Sequence, residues 1–395
     1  MEIIMEKPLL YENSYQINDI GIIVRSSDKT VLSSMNMYYG AFSSEIKSRN
    51  IEVHIGEFRI RKLDEIISLG NRYFLNSDKN MLIVNPTAFA KFNGNFRFIL
   101  TGDIFSKDEC IKLYFQNSKK RPSNFVGTLS HILDKIIWPN FNPEYVGRAG
   151  MINYDLETLI YFLLPRYGKT FLHAGGVSVG NDGVLIFGYP NVGKTSIVLE
   201  LCRKGCGFLG DDLVILSEDG FMFFYPKFIQ IEGFFIKGNP EIFAKIKKNM
   251  SLKQRLILNY MFKIYSGRLD KIGILQNIRA VINDVELKKN CKVNHLVQLI
   301  RFPGKNIKIK KIDSDILIRK LYLQLINEFK HRYIYEGCIL AMQENEKIEE
   351  NLLEVELNIK RIIRRALMES ACYEMLIPET VKMNEVSEKL LKTLQ

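Results

Sequence analysis

The chain has 395 residues, of which 47% are hydrophobic and 25% charged, and a formal net charge of +11. This length predicts two or three domains, and the composition is that of a globular protein with a sizeable core. Its six cysteines form no Cys-x-x-Cys pair, its first residues lack a signal-peptide pattern, and no apolar run approaches the ~20 residues of a membrane span. We therefore expect reduced thiols and a soluble, cytoplasmic protein without a zinc site or a membrane partner.

The positive charge permits binding to nucleic acid, to an anionic membrane or to an acidic peptide. The lysines and arginines, however, form separate clusters along the chain, which favours solvated surfaces over one dedicated site. No zinc-finger or aromatic-rich ribonucleoprotein motif accompanies them. Nucleic acid is therefore a partner that no motif supports.

Residues 1–150 predict a separate α+β domain. Short β-rich runs alternate with turns, and one stretch has helical periodicity. The β-rich runs cover residues 21–25, 51–55, 81–84 and 96–100, and the helix covers residues 127–138. Because this domain carries no chemical motif, we expect it to serve substrate recognition or assembly.

An apolar helix over 155–166 lies near the start of the next predicted domain, residues 151–310. Predicted strands follow over 171–179 and 184–187, with an Asn-Asp-Gly turn at 181–183 between them. Such a turn between two apolar runs is typical of a β-hairpin, so the second strand should run antiparallel to the first. The sequence thus predicts an α/β fold with a mixed sheet.

The phosphate-binding pattern Gly-x-x-x-x-Gly-Lys-Thr follows the second of these strands and precedes a predicted helix over 194–204. In such a loop the backbone N–H groups curl around a polyphosphate, Lys194 reaches its β and γ oxygens, and the Thr195 hydroxyl ligates Mg²⁺. The helix N-terminus adds its dipole to the anion site. We expect nucleotide to bind at Gly188, Pro190, Asn191, Val192, Gly193, Lys194, Thr195 and Ser196.

Asp211 and Asp212 follow the loop lysine by 17 and 18 residues, within a run predicted as a strand over 208–216. Paired acids in such a place suit both needs of phosphoryl transfer, since one can take a proton from a hydroxyl acceptor and the other can hold metal. His173 precedes Lys194 by 21 residues, inside a predicted apolar strand and beside small residues that would admit a ligand. We therefore place His173 near the γ-phosphate or the acceptor.

The rest of the chain is predicted to be mainly helical. Periodic apolar positions predict four helices, and one returning strand lies between them. The helices cover residues 251–265, 313–333, 346–376 and 380–394, and the strand covers residues 293–302. Residues 311–395 are thus predicted to form a helical C-terminal region.

Together these motifs resemble the catalytic core of HPr kinase/phosphorylase and, more broadly, the HPr-kinase-like and phosphoenolpyruvate-carboxykinase-like folds. The resemblance covers residues 165–235 and rests on His173, the phosphate loop with its strand and helix, and the run Gly210-Asp-Asp-Leu-Val214. It implies a phosphate-loop kinase core of that type between the N-terminal α+β domain and the helical C-terminal region. It also implies assembly into a homo-oligomer.

The resemblance further implies an ATP-dependent kinase that acts on a serine-type hydroxyl of a protein, a peptide or a small molecule. Carried over to this sequence, Asp211 is the general base, while Lys194 and Thr195 bind the phosphates and Mg²⁺. Asp212 and His173 are supporting groups of the same active site.

Two positions depart from the family pattern. Ser196 stands where the bacterial regulators have Glu directly after the loop Ser/Thr. Their later signature around a metal-binding Glu has no clear counterpart here, and Gln230 and Glu232 are the nearest candidates. Of these two we expect Glu232 to hold metal with Thr195 and Asp212. The N-terminal and C-terminal regions also differ from those of the regulators, so we expect an acceptor other than HPr.

Two other functions stay open on the sequence alone. The loop tetrapeptide Tyr189-Pro-Asn-Val192 is similar to that of translation-type GTPases, which would make the chain a GTPase or ATPase switch. No Asn-Lys-x-Asp motif that would read guanine occurs in the sequence. A kinase or binding protein that acts on RNA is also compatible with the net charge of +11.

Overall fold

The computed structural model describes residues 2–61, 67–68, 73–75, 81–83, 96–105, 109–117, 143–225, 227–248, 250, 252–264 and 273–394. The chain divides into two compact units. Unit 1 comprises residues 1–167 and 329–357, and unit 2 comprises residues 168–328 and 358–395. The phosphate loop belongs to unit 2.

Unit 1 is built on a mixed sheet. Its strands in the described residues are β1 Glu2–Met5, β2 Tyr11–Ile17, β3 Ile20–Ser26, β4 Ile51–Ile55, β5 Phe58–Arg61, β6 Ile67–Ser68, β7 Tyr73–Leu75, β8 Met81–Ile83, β9 Phe96–Thr101 and β10 Ile111–Asn117. The main sheet has the order β2-β3-β4-β10-β9, in which β4 is parallel to both of its neighbours. Helices α1 Lys29–Tyr39 and α2 Pro143–Leu163 contact each other, and α1 also packs on β2 and β3.

Unit 2 contains the larger sheet. Its strands in the described residues are β11 Lys169–Leu172, β12 Gly175–Val179, β13 Asp182–Gly188, β14 Gly207–Gly210, β15 Val214–Ser217, β16 Phe221–Phe223, β17 Ile229–Glu232, β18 Gly273–Gln276, β19 Asn290–Phe302, β20 Lys308–Lys311 and β21 Ala371–Pro378. The larger sheet has the order β11-β15-β16-β19-β13-β12-β14, with β21 beside β19 and β20 beside β21, whereas β17 and β18 form a separate two-stranded sheet. β13, β19 and β21 are parallel, whereas β12 is antiparallel to β13. The predicted α/β class, the mixed sheet and the antiparallel hairpin are therefore confirmed.

Unit 2 also contains helices, of which the first packs on β12, β13 and β14 of this sheet. In the described residues they are α3 Lys194–Arg203, α4 Gly233–Gly238, α5 Pro240–Lys248, α6 Leu252–Ile264, α7 Ile278–Val281 and α8 Ser314–Phe329. After α9 Tyr333–Ala341 in unit 1 and α10 Glu346–Leu367, which passes from unit 1 to unit 2, the chain ends in α11 Met383–Leu394. Ile186 on β13, Leu296 on β19, and Ile197 and Leu201 on α3 are fully buried. This core fixes the strand that leads into the phosphate loop and the helix that leaves it.

Three predicted elements are wrong in part. The strand predicted over 171–179 is broken at His173 and Ala174, because β11 pairs with β15 whereas β12 pairs with β13. The strand predicted over 208–216 is broken at residues 211–213, where the chain turns from β14 into β15.

The third error is the helix predicted over 346–376. That helix ends at Leu367, and the residues from Ala371 form β21, because Cys372, Met375 and Ile377 are buried in the sheet beside β19. The helix predicted over 127–138 lies outside the described residues. Among the helices that the structure describes, none combines the length and the apolar character that crossing a membrane requires.

Candidate active site

The phosphate loop joins β13 to α3, and two of its residues have positive φ. Asn191 has a φ of 62°, and Gly193, directly before α3, has a φ of 103°. Asn tolerates this region because its short polar side chain can bond locally, and Gly does so because it has no Cβ. A Cβ at Gly193 would also lie 2.7 Å from Cε of Met383 on α11. The loop conformation therefore depends on glycine at position 193.

Lys194 lies in the first turn of α3, and its ammonium is bonded within the protein. Nζ donates to the Gly188 carbonyl oxygen at 3.0 Å and lies 3.0 Å from His173 Nε2. Burial lowers the pKa of Lys194, and the charges of Asp212 and Asp211 oppose that shift. An ammonium held in this way at the start of a helix is placed to bond phosphate oxygens.

Thr195 and Asp211 form a hydrogen-bonded pair. Thr195 Oγ1 donates to Asp211 Oδ2 at 2.8 Å. Asp211 is 4% exposed, and burial raises its pKa to about 6; the adjacent Asp212 charge adds to the rise, and the Thr195 hydrogen bond opposes it. Its other oxygen, Oδ1, is buried without a hydrogen-bond partner among the described residues. Such a carboxylate can accept a proton from a bound group or ligate a metal.

Asp212, the next residue, has other partners. Its φ is 71°, and its Oδ2 accepts a hydrogen bond from Lys227 Nζ at 2.6 Å. Burial acts to raise the pKa of Asp212, but Lys227 and His173 together lower it below its ordinary range. Asp212 is therefore fully ionised at neutral pH, whereas Asp211 titrates close to neutral pH.

His173 lies in the short break between β11 and β12 and connects Lys194 to two carboxylates. Its Nδ1 is 3.3 Å from Asp212 Oδ1 and 3.8 Å from Glu328 Oε2, in electrostatic contacts without hydrogen-bond geometry. Burial lowers the pKa of His173, and Asp212 opposes that shift. Because an ammonium only donates, we assign Nε2 of the neutral ring as the acceptor and place the proton on Nδ1.

These side chains line one cleft of about 460 Å³ within unit 2. This volume suits a small-molecule ligand, for which pockets of about 300–1,000 Å³ are typical. The predicted site residues on its walls are His173, Pro190, Asn191, Val192, Gly193, Lys194, Thr195, Ser196, Asp211, Asp212 and Glu232. Gly188 is buried at the end of β13 and contributes its carbonyl to Lys194.

Lys227 and Glu328 are charged residues of the cleft that the sequence did not reveal as site residues. Lys227 precedes β17 and bonds Asp212, while Glu328 comes from the last turn of α8 and approaches His173. The signal that could have found Glu328 is the spacing of Lys320, Gln324 and Glu328, since residues four apart share one helix face. Nothing local in the sequence, however, ties that face to the phosphate loop.

Oxygen donors suited to Mg²⁺ lie on the same cleft. Thr195 offers a hydroxyl, and Asp212 and Glu232 offer carboxylates. Gln230 and Glu232 share the more exposed side of β17, since Ile229 and Ile231, which alternate with them, are buried. In the described part of the chain no three His, Cys, Asp or Glu side chains are grouped to hold an ion. The donors therefore fit Mg²⁺, which keeps water and phosphate oxygens among its ligands, better than an ion held in an all-protein cage.

Comparison with known proteins gives weak but consistent matches. No family model matches the chain. It is 31% identical over 107 residues to HPr kinase/phosphorylase of Mycoplasmopsis pulmonis, covering 27% of this chain and 33% of that protein. It is 24% identical over 204 residues to the enzyme so named in Neisseria meningitidis, covering 49% of this chain and 59% of that protein. It is 26% identical over 170 residues to HPr kinase/phosphorylase of Chloroherpeton thalassium, covering 40% of this chain and 47% of that protein.

The chain thus spans between 33% and 59% of the length of these curated relatives. Among solved structures, HPr(Ser) kinase/phosphatase from Coxiella burnetii matches 57% of this chain and 95% of its own, with 12% identity and a TM-score of 0.28, which is too low to support an inference. These three relatives carry one name, and the residues on which the sequence resemblance rests, namely His173, the phosphate loop, Asp211 and Asp212, lie on one cleft. These matches support the interpretation of the chain as a divergent protein similar to HPr kinase/phosphorylase.

Proposed function

We propose that the chain is an ATP-dependent kinase that transfers the γ-phosphoryl group to a serine-type hydroxyl on a protein, a peptide or a small molecule. The observation that supports this most is a single cleft that holds a phosphate loop and two adjacent carboxylates with opposite pKa shifts. Titratable neighbours whose environments push their pKa values apart are typical of acid–base sites. The names of the curated relatives point to the same class of reaction.

In this proposal Lys194 and the loop N–H groups bind the β- and γ-phosphates and offset the charge that develops during transfer. Asp211 takes the proton of the acceptor hydroxyl on Oδ1, its oxygen without a hydrogen-bond partner in the described residues. A pKa of about 6 leaves Asp211 ionised at neutral pH and still basic enough to accept that proton. His173 Nε2 and the Gly188 carbonyl together hold the Lys194 ammonium until it moves to the phosphates.

Thr195, Asp212 and Glu232 would hold Mg²⁺, with phosphate oxygens and water as its other ligands. When bound, Mg²⁺ supplies positive charge beside the β- and γ-phosphates. The low pKa of Asp212 suits a ligand that has to stay ionised.

The acceptor is the open part of the proposal. The relatives are named for HPr, but the chain spans only part of their length, so HPr is one acceptor to be compared with peptides, small hydroxyl compounds and RNA. We place acceptor recognition in the N-terminal domain and the basic C-terminal helices, outside the cleft residues that bind nucleotide.

The test is transfer of label from γ-labelled ATP to pools of these acceptors. We expect one pool to be labelled by the wild-type chain, and Lys194→Ala to reduce the rate on the order of 10²–10³-fold, as loss of a charge-stabilising donor does elsewhere. Lys237→Ala, which removes an exposed lysine of the same unit, should keep the wild-type rate. Undiminished transfer by Lys194→Ala contradicts the assigned site. Strong preference for GTP without any labelled acceptor would instead favour a nucleotide switch.

A further inference from the structure

The carbonyl of Gly188 accepts two hydrogen bonds at the start of the phosphate loop. Lys194 Nζ donates to it at 3.0 Å, and Gln324 Nε2 donates to it at 2.8 Å. A carbonyl oxygen has two lone pairs, so both bonds can be made at once. Gly188 is buried, so water cannot readily replace either donor. The roles proposed above use Lys194 and leave Gln324 without one.

Helix α8 holds Gln324 at this carbonyl. Lys320, Gln324 and Glu328 lie four residues apart and therefore on one face of the helix. One turn before Gln324, Lys320 Nζ bonds the side chains of Gln298 on β19 and Glu374 on β21. One turn after it, Glu328 approaches His173. Gln324 is thus fixed between an anchor on the sheet and the cleft.

The Lys194 ammonium has three N–H donors, and in the free protein two of them serve Gly188 O and His173 Nε2. If the ammonium is to bond both a β- and a γ-phosphate oxygen, as proposed above, at least one of these two bonds is given up, and giving up the bond to Gly188 removes a donor from that carbonyl. A buried carbonyl left without any donor is strongly unfavourable, whereas one that keeps a second donor is not. The Gln324 amide is that second donor.

We propose that Gln324 is a positioning residue for nucleotide binding, which keeps the Gly188 carbonyl hydrogen-bonded while Lys194 moves onto the phosphates. It acts through the loop backbone and does not touch the nucleotide. The inference rests on the proposed nucleotide site, but the sharing of one carbonyl by two donors can be tested without nucleotide.

The first test is a double-mutant cycle on the free protein with Gln324→Met and Lys194→Met. Met has about the length and the helix propensity of the residues that it replaces, and it cannot donate. Each single variant leaves the Gly188 carbonyl one donor, and the double variant leaves it none. We expect the unfolding equilibrium constant of the double variant to rise about tenfold beyond the product of the single effects. Additive effects overturn the proposal.

The second test measures the dissociation constant for MgATP. Gln324→Met should raise it about 5- to 100-fold while the melting temperature of the free protein stays unchanged, because Lys194 still satisfies Gly188 there. Asn327→Leu, an exposed amide position on the same helix, should change neither quantity. The positioning role is overturned if Gln324→Met binds MgATP with wild-type affinity. It is also overturned if the free variant loses as much free energy of unfolding as it loses free energy of MgATP binding. If the wild-type chain itself fails to bind MgATP, the proposed function fails, and the cycle still decides whether the carbonyl is shared.

Discussion

Burial separates the two neighbouring aspartates of the cleft. Asp211 lies 4% exposed against Thr195, whereas the side chain of Asp212 is 41% exposed and is paired with Lys227. The positive φ of Asp212 turns the chain between β14 and β15, so that the two side chains have different surroundings. The sequence offers two like carboxylates, and only the fold determines that Asp212, and not Asp211, has Lys227 and His173 beside it to outweigh the desolvation penalty of its charge.

We expect Asp211→Asn to be more stable than the wild-type chain near pH 8. The pKa of Asp211 is about 6 in the folded chain and ordinarily 3.8, so its ionised form destabilises the fold by on the order of 3 kcal/mol at neutral pH. This raised pKa favours folding fully below about pH 3.8, and the benefit is lost as the pH rises through 6. In urea titrations the difference between variant and wild type should therefore vanish toward acid pH. A variant that is less stable at pH 8 contradicts the burial of a charge here.

The same substitution tests the role of Asp211 as the base. Asp211→Asn should abolish phosphoryl transfer and leave the dissociation constant for MgATP nearly unchanged, because Asn keeps the shape and cannot take the proton. Asp212→Asn is the matched control and should weaken the Mg²⁺-dependent part of ATP binding. If ATP binding collapses in Asp211→Asn instead, Asp211 is the metal ligand beside Thr195.

At the scale of elements, the signals that predicted the phosphate loop are local. The hairpin turn, the apolar run of β13 and the Gly-Lys-Thr sequence lie close together, and the structure places them as expected. Gln324 and Glu328 reach the site only through the packing of α8, which no neighbouring pattern encodes. β21 was mistaken for helix because its apolar positions fit both periods, and its pairing with β19 decides between them.

Gly193→Ala should weaken nucleotide binding more than its loss of stability accounts for. A non-glycine residue at its φ of 103° costs about 1–2 kcal/mol, and relaxation of that strain turns the loop N–H groups away from the phosphates. Gly205→Ala is the matched control, since its φ is 89° and a Cβ there would meet nothing within 4 Å. Gly193→Ala should lose at least as much stability in urea as Gly205→Ala, since its Cβ also meets Met383, and only Gly193→Ala should bind MgATP poorly. Equal affinities in the two variants would show that the loop tolerates a side chain.

At the scale of the whole molecule, unit 1 is assembled from two distant stretches of sequence, and a buried ion pair joins them. Arg332, 1% exposed, donates from Nη1 to Glu157 Oε2 at 2.9 Å, and its guanidinium lies 4.2 Å from the ring centroids of Tyr154 and Phe329. Removing one partner of such a pair leaves the other charge buried. Every residue assigned to the cleft belongs to unit 2, so nucleotide binding and the stability of unit 1 should be separable.

We expect Arg332→Met to destabilise unit 1 by about 3–5 kcal/mol, because Glu157 then keeps a buried charge without its principal counter-ion. The double variant Glu157→Leu/Arg332→Met buries no charge there and should regain much of that loss. In calorimetry, Arg332→Met should lower the midpoint temperature of one unfolding transition, that of unit 1, and MgATP should not change this midpoint. MgATP should still raise the midpoint temperature of the second transition, that of unit 2, because it binds only the folded unit. Two results would show that the units do not unfold independently. One is a single unfolding transition for the whole chain, and the other is an Arg332→Met variant whose midpoint temperatures no longer respond to MgATP.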